Sequence, residues 1–375
     1  MNSPPAPPSS VERIAVVGLG NVGRLIADML LERGFEVWEV DSDESRVAGE
    51  RASVMDVSDP AALERLFADV DAVISCLPYF LNAGVATAAH AAGVHYFDLT
   101  EDVTASKTIK EFAQSSNTIF MPRCGLAPGF ICVVGGSLVA SLETIDLLQL
   151  RVGAIPRSPN NALGYSCTWS PDGIVNEYLN DCEQLRGGEL VTVPSLEDVE
   201  TIVIDGARYE AFTTSGGLGT MCETFAGRLG SLDYKTIRYP GHRALMRFML
   251  HELGLGRQRE EAVRLLADAY PPVRDDQVIL YAAAEGTSRG RRAREEFVRV
   301  YRPRLVAGAT RTAIAWTTAA GAVGMVELLA EGSLPDSGFV TQEAVSLDAF
   351  LGTSAGQMLA REPYADVGDD VMLPA

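Results

Sequence analysis

The sequence predicts an α/β protein: a Rossmann-type doubly wound parallel sheet, plus a second α+β substrate domain with a mainly antiparallel sheet. Three observations carry this expectation. Strand-like and helix-like segments alternate from Val11 to about Gly125. The glycine turn GLGNVG (Gly18–Gly23) lies between the first apolar strand and the first amphipathic helix. Beyond Gly125–Gly129 the alternation gives way to longer strands of period two.

Each element has its own signal. RIAVVG is a short apolar run suited to a buried parallel strand. The helix after it carries Val22, Leu25, Ile26, Met29 and Leu30 at helical spacing. FEVWEVD is a second strand, ASVMDV a third, PAALERLFADV a helix begun by proline, and DAVISCLP a fourth strand. LNAGVATAAHAAG and TASKTIKEFAQSS read as helices, with VHYFDLT and NTIFMPRCG as the fifth and sixth strands. Then follow the helical FICVVGGSLVASL and the strands LLQLRVGAI, ELVTVP and ETIVIDG. Residues 256–272 read as a charged helix, and ATRTAIAWTTAAGAVGMVELLAEG as a small-residue helix that packs back on the first domain. The expected division is a disordered leader (1–10), a dinucleotide domain (11–127 plus about 310–345), a substrate domain (128–309) and a loose acidic tail (346–375).

Composition narrows the function. A net charge of −19 disfavours nucleic acid and anionic membrane, which both require a basic face. No apolar run in the sequence is taken as a membrane span. Six scattered cysteines without a CxxC pair read as reduced thiols of a cytoplasmic protein. The four histidines are too dispersed for a metal site, and none is expected.

The glycine turn points to a dinucleotide. Gly18 permits the tight turn, Gly20 lets the backbone approach a pyrophosphate, and Gly23 allows close helix–strand packing. Asn21 and Val22 open the helix whose N-terminus faces the phosphates. Asp41, with Ser42 beside it, ends the second strand where a carboxylate accepts both ribose hydroxyls of NAD. A 2′-phosphate meets repulsion there, and the nearest arginine is Arg46, so NAD is expected over NADP. Asp56 and Val57 after the third strand fall near an adenine, with a helix-cap role for Asp56 the alternative. Cys76, Leu77 and Pro78 after the fourth strand, and Leu99 after the fifth, fall near the nicotinamide half.

One further run draws notice. The chain has three lysines among 31 basic residues, and one of them, Lys235, lies in LDYKTIRYPGH with Arg238 and His242. An amine can lose its proton when desolvated, as a guanidinium cannot.

GVHYFDLTED, CGLAPGF, TWSPDGIVNEY, FTTSGG and LDYKTIRYPGH, in this order, resemble the saccharopine dehydrogenase family, and within it the L-lysine 6-dehydrogenase branch. The resemblance spans Ile14 to Leu255 and the helix near 310–332, and thins from Gly256 to Leu305. It implies a Rossmann domain with an α/β substrate domain, a homodimer or larger homo-oligomer, and a small-molecule amino-acid substrate. For the lysine branch it implies NAD-dependent oxidative deamination at the ε-carbon, giving a semialdehyde that cyclises.

That chemistry needs a proton acceptor, since the ε-ammonium has a reference pKa of about 10.4. Lys235 and His242 are the candidates, and Arg238 is the candidate for the α-carboxylate. In a strand, Lys235 and Arg238 fall on opposite faces; in a turn they converge. Asp172, Glu177 and Tyr178 in TWSPDGIVNEY offer partners for an ammonium. Ser215 and Gly216 in TSGG bring backbone amides close to a ligand. Two other readings remain open: an opine-type dehydrogenase, such as one acting on saccharopine, and an NAD-binding sensor without catalysis.

Overall fold

The computed structural model describes residues 11–360. The expected leader (1–10) and residues 361–375 of the expected tail lie outside the described residues.

The first domain runs β1 (Arg13–Val17), α1 (Asn21–Glu32), β2 (Glu36–Asp41), β3 (Ala52–Val54), α2 (Pro60–Phe67), β4 (Ala72–Ser75), α3 (Tyr79–Ala92), β5 (His95–Asp98), α4 (Val103–Ala113) and β6 (Ile119–Met121). Helix α5 (Phe130–Ser141) then leads into the second domain, which begins with β7 (Thr144–Pro156) and α6 (Pro171–Leu179). It continues with β8 (Cys182–Arg186), β9 (Glu189–Val193), β10 (Glu200–Ile204), β11 (Ala207–Thr213), α7 (Met221–Phe225), β12 (Leu229–Arg238), α8 (His242–Arg247) and α9 (Arg259–Ala269). A long hairpin, β13 (Asp276–Ser288) with β14 (Arg291–Tyr301), and a short one, β15 (Arg304–Val306) with β16 (Ala309–Arg311), follow. The chain ends in α10 (Ala313–Ala330), β17 (Gly338–Phe339), α11 (Leu347–Gly352) and α12 (Gly356–Ala360).

The first sheet is parallel throughout, in the order β3-β2-β1-β4-β5-β6-β17. Strand order reverses between β1 and β4, which opens a crevice at the carboxyl ends of these strands. The second sheet runs β10-β11-β12-β7-β13-β14, with the β8–β9 hairpin joined to β12. Only its β12–β7 pairing is parallel.

The two sheets share one core. Helix α10 lies along α1 and reaches β13, and its residues are buried on every side. Such a helix reads as apolar all round because it has no wet face. It is long and apolar enough to cross a membrane, where the sequence suggested no such run, yet 83% of it is buried within this protein. Close approach requires glycine here: a Cβ on Gly321 would lie 2.4 Å from the Gly125 carbonyl oxygen. Likewise a Cβ on Gly136 of α5 would lie 2.3 Å from the Glu343 carbonyl oxygen.

Three expectations need correction. The third strand is short, because the chain turns away after Val54. Residues 276–301 form the long β13–β14 hairpin, where the sequence suggested no element. Residues 346–360, expected in a loose tail, are packed: Phe350 and Leu359 are fully buried against the core shared by α5 and α10. One fully buried apolar anchor per short helix outweighs the polar character of the stretch.

Replacing Gly321 with alanine should lower unfolding stability by about 1–3 kcal/mol despite alanine's better helix propensity, because backbone faces backbone there. Urea denaturation of the variant, read against wild type, checks this; an unchanged midpoint would contradict the packing argument.

Candidate active site

The dinucleotide end is built on three backbone approaches. Gly18 holds φ +91°, and its N–H donates to the Val40 carbonyl at 2.8 Å. A Cβ on Gly23 would lie 1.9 Å from the Gly18 carbonyl oxygen, so the turn closes only on glycine. A Cβ on Gly20 would meet nothing, which leaves an open face beside the start of α1, where Asn21 and Val22 follow. Asp41 is buried; its carboxylate accepts from the Leu19 N–H at 2.7 Å and from the Asp43 N–H at 2.9 Å. Arg46 stands 3.7 Å from it, and Ser42 is exposed beside it. This glycine cradle and carboxylate fit a nicotinamide dinucleotide. Asp56 turns its carboxylate to the Ser58 N–H and hydroxyl, a local turn, with Val57 between them. Cys76, Leu77 and Pro78 leave β4, and Leu99 leaves β5, on the same side of the sheet.

On the other side of the crevice, β12 sets the chemistry. It is a strand through Arg238, so Lys235 and Arg238 face opposite ways. Lys235 is 7% exposed, and its Nζ lies 2.7 Å from Glu200 and 3.8 Å from Asp233. Both carboxylates are shared with the buried Arg151 on the neighbouring strand. Lys235 is therefore an ion-pair residue on the outer face of the sheet, not the proton-transfer group the sequence suggested.

Arg238 faces inward. Its Nε donates to the Tyr178 hydroxyl at 3.0 Å, Nη1 donates to the Ile237 carbonyl, and Nη2 has no partner among the described residues. The guanidinium sits 4.8 Å above the Tyr165 ring. The Tyr178 hydroxyl lies 3.0 Å from His242 Nε2, and His242 Nδ1 lies 3.0 Å from the Leu163 carbonyl oxygen. A carbonyl only accepts, so Nδ1 carries the proton, Nε2 accepts from Tyr178, and Tyr178 accepts from Arg238. Burial, helped by the Arg238 charge, lowers the His242 pKa to about 3. His242 is thus a neutral, buried prop for Arg238, not the proton acceptor expected of it.

A cleft of ≈ 320 Å³ opens between the loop after β5, the end of α6 and the Thr214–Gly219 loop, with Tyr234 of β12 on its wall. Ser215 and Gly216 line it with Asn176, Asn180 and Tyr234, and its charged lining is all acidic: Glu101, Asp102, Asp181 and Glu183. Asp172 stays outside, since its side chain is 62% exposed and turns toward Arg259. The first turn of α6 places it there, with Ser170 capping the Gly173 N–H. Glu177, one turn later, is buried.

The sequence reading passed over two residues that organise the cleft. Asp98 ends β5 fully buried, and its carboxylate accepts from the Tyr96 hydroxyl and the Thr100 and Arg123 N–H groups at 2.8, 3.0 and 2.8 Å. It ties together the loops after β5 and β6; burial raises its pKa to about 6. Glu101 follows in the same loop. An acid closing a parallel strand was the available signal for both. All six cysteines are unpaired; Cys76 is half-buried and the other five are buried.

The His242 shift makes a prediction. Between pH 6.5 and about 3 the unfolded chain binds a proton that the folded chain refuses, so stability declines as pH falls through that window. His242→Gln removes this titration and should flatten the stability profile between about pH 6.5 and 4, even if the plateau drops. Urea midpoints against pH read it, and an unflattened profile would contradict the assignment.

Comparison with known proteins agrees with this architecture. The sequence profile of the saccharopine dehydrogenase NADP binding domain matches residues 14–119, and that of the saccharopine dehydrogenase C-terminal domain matches residues 125–356. The chain is 27% identical over 167 residues to saccharopine dehydrogenase (NADP+, L-glutamate-forming) of Schizosaccharomyces pombe, covering 41% of this chain and 36% of that one. It is 26% identical over 211 residues to the protein of that name from Pyricularia oryzae, covering 51% and 46%. The matched part is thus less than half the length of either relative. The fold is similar to that of apo saccharopine dehydrogenase (L-Glu forming) from Saccharomyces cerevisiae, with TM-score 0.73, 14% identity, and coverage of 91% and 96% of the two chains. With both domain profiles matched in order along it, the chain belongs to the saccharopine dehydrogenase family.

Proposed function

We propose that this chain is an amino-acid dehydrogenase that oxidises L-lysine at its ε-carbon with NAD. The acidic cleft carries the reading. Its charged lining residues are Glu101, Asp102, Asp181 and Glu183, with no lysine or arginine among them. Saccharopine bears three carboxylates and would meet repulsion on that wall. Lysine bears two ammonium groups and a single carboxylate, and it meets attraction.

The residues divide the work. Arg238 holds the α-carboxylate through its free Nη2, propped by Tyr178 and His242. The acidic wall orients the amines, and Ser215 and Gly216 close over the substrate. The Gly18–Gly23 turn and Asp41 would hold NAD, which when bound would supply the hydride acceptor. The ε-amine loses a proton, the ε-carbon gives up a hydride, and the resulting iminium takes water and releases ammonia. The semialdehyde left behind then cyclises onto its own α-amine. Neither Lys235 nor His242 takes the proton, so that task falls to the cleft carboxylates.

The relatives compared above are named for NADP, and this chain's Asp41 argues for NAD. Its buried carboxylate, held by hydrogen bonds from the Leu19 and Asp43 N–H groups, would accept ribose hydroxyls and repel a 2′-phosphate.

Absorbance at 340 nm is the test, with NAD or NADP against lysine, ornithine, saccharopine and α- or ε-blocked lysine. NADH formed from lysine but not from ε-blocked lysine is expected; turnover of saccharopine alone would move the chain to the opine-type reading. Cofactor binding with silence across the panel would favour a sensor. Arg238→Lys should raise KM for lysine by about 10–100-fold with a smaller change in kcat, since an ammonium cannot keep the Tyr178 and Ile237 bonds and still present an N–H where Nη2 stands. Asp41→Ser should narrow the preference for NAD over NADP by about tenfold or more, read as the ratio of kcat/KM.

A further inference from the structure

Beside the cleft an acidic pair has no hydrogen-bonded cation among the described residues: Glu101, on the cleft wall, and Glu177, next to the lining residue Asn176. Glu101 belongs to the dinucleotide domain, two residues past Leu99. It reaches across to the second domain: a Cβ on Gly173 would lie 3.1 Å from its Oε1, and one on Gly216 would lie 2.8 Å from its carbonyl oxygen. Glu177 follows Gly173 by four residues, so it stands one turn along the same face of α6. Glu177 is 6% exposed, and no donor among the described residues reaches its carboxylate. The Tyr165 hydroxyl, on the ring that carries the Arg238 guanidinium, is buried without a partner among the described residues. Buried polar groups are ordinarily partnered, and here a carboxylate and a hydroxyl on either side of Arg238 leave hydrogen-bonding capacity that a ligand could use.

We propose that Glu101 and Glu177, one from each domain, together bind the α-ammonium of an amino-acid substrate whose carboxylate is held by Arg238. The inference rests on the reading that this cleft takes an amino acid, and it does not depend on which amine is oxidised. It assigns the pair a choice: substrates with a free α-ammonium are accepted, and those without it are refused.

Charge supports the geometry. Burial first, then the Glu101 charge, raises the Glu177 pKa to about 8, against a smaller opposing effect of Arg238. The titratable or charged groups around Glu177 are Glu101, Arg238, Tyr234, Tyr178, Tyr165 and Cys182. The empty pair therefore holds a proton near neutral pH. An arriving ammonium favours the ionised form, so binding expels that proton to solvent.

Norleucine and hexanoate test this, since they differ in the α-ammonium and neither carries an oxidisable ε-amine. Calorimetry on the full chain with NADH, at about pH 7 in buffers of different ionisation enthalpy, should show norleucine bound about tenfold or more tighter than hexanoate, with release of about one proton. Glu177→Gln and Glu101→Gln should each erase the preference and the proton release while leaving hexanoate binding unchanged. A preference that survives either substitution would overturn the proposal, as would no binding of norleucine to wild type. Lysine oxidation together with unaltered discrimination in the variants would remove the pair and leave the function standing. Lost discrimination without lysine oxidation would keep the pair and remove lysine as substrate.

Discussion

The molecule depends on a contact with no side chain in it. Where the chain crosses from the parallel sheet to the mixed one, α10 lies on the crossing segment, and Gly321 meets the Gly125 carbonyl. On the far side of the same crossing, Gly136 of α5 meets the backbone at Glu343. These two approaches bring both sheets against a single apolar core that runs from α1 through α10 and α5 to β7 and β13. One core means one relative setting of the domains, and that setting places Glu101 of the first domain against α6 of the second.

Strand β12 shows how the same fold handles buried charge. Alternation sends Lys235 to one face, where Glu200, Asp233 and Arg151 neutralise it and one another. The other face receives Arg238, which is given hydroxyl and carbonyl partners but no bound carboxylate. The first arrangement is closed electrostatically and asks for nothing. The second is open, with its hydrogen-bonded support running in one direction from Arg238 through Tyr178 and His242 to the Leu163 carbonyl. A buried cation lacking its counter-charge is costly, and a bound carboxylate removes that cost.

Much of the fold was legible. Six short strands alternating with helices leave little choice but a doubly wound sheet, and the glycine turn marks its first crossover. The β13–β14 hairpin was not legible, because its outer strand is rich in arginine and glutamate and carries little of the alternation that marks a strand. The packed end of the chain was missed for a related reason: isolated anchors such as Phe350 carry no periodicity. In the site, residue types were easier to read than directions. LDYKTIRYPGH offered Lys235, Arg238 and His242 alike, and only strand parity and burial show that Lys235 faces away from the other two. Glu101 and Asp98 stood at the end of a strand whose tip was known to matter, yet nothing local says which acid is buried.

The six cysteines carry a consequence for the chemistry this chain avoids. Burial pushes five of the thiols to about 11 or 12, and Cys124 also well upward, so almost no thiolate exists at neutral pH. Thiolate is the nucleophile that attacks peroxides and disulfides. A fold that places a half-buried thiol, Cys76, at the mouth of its dinucleotide crevice has nonetheless withheld its reactivity. At neutral pH these cysteines should therefore be slow to form disulfides or sulfenic acids.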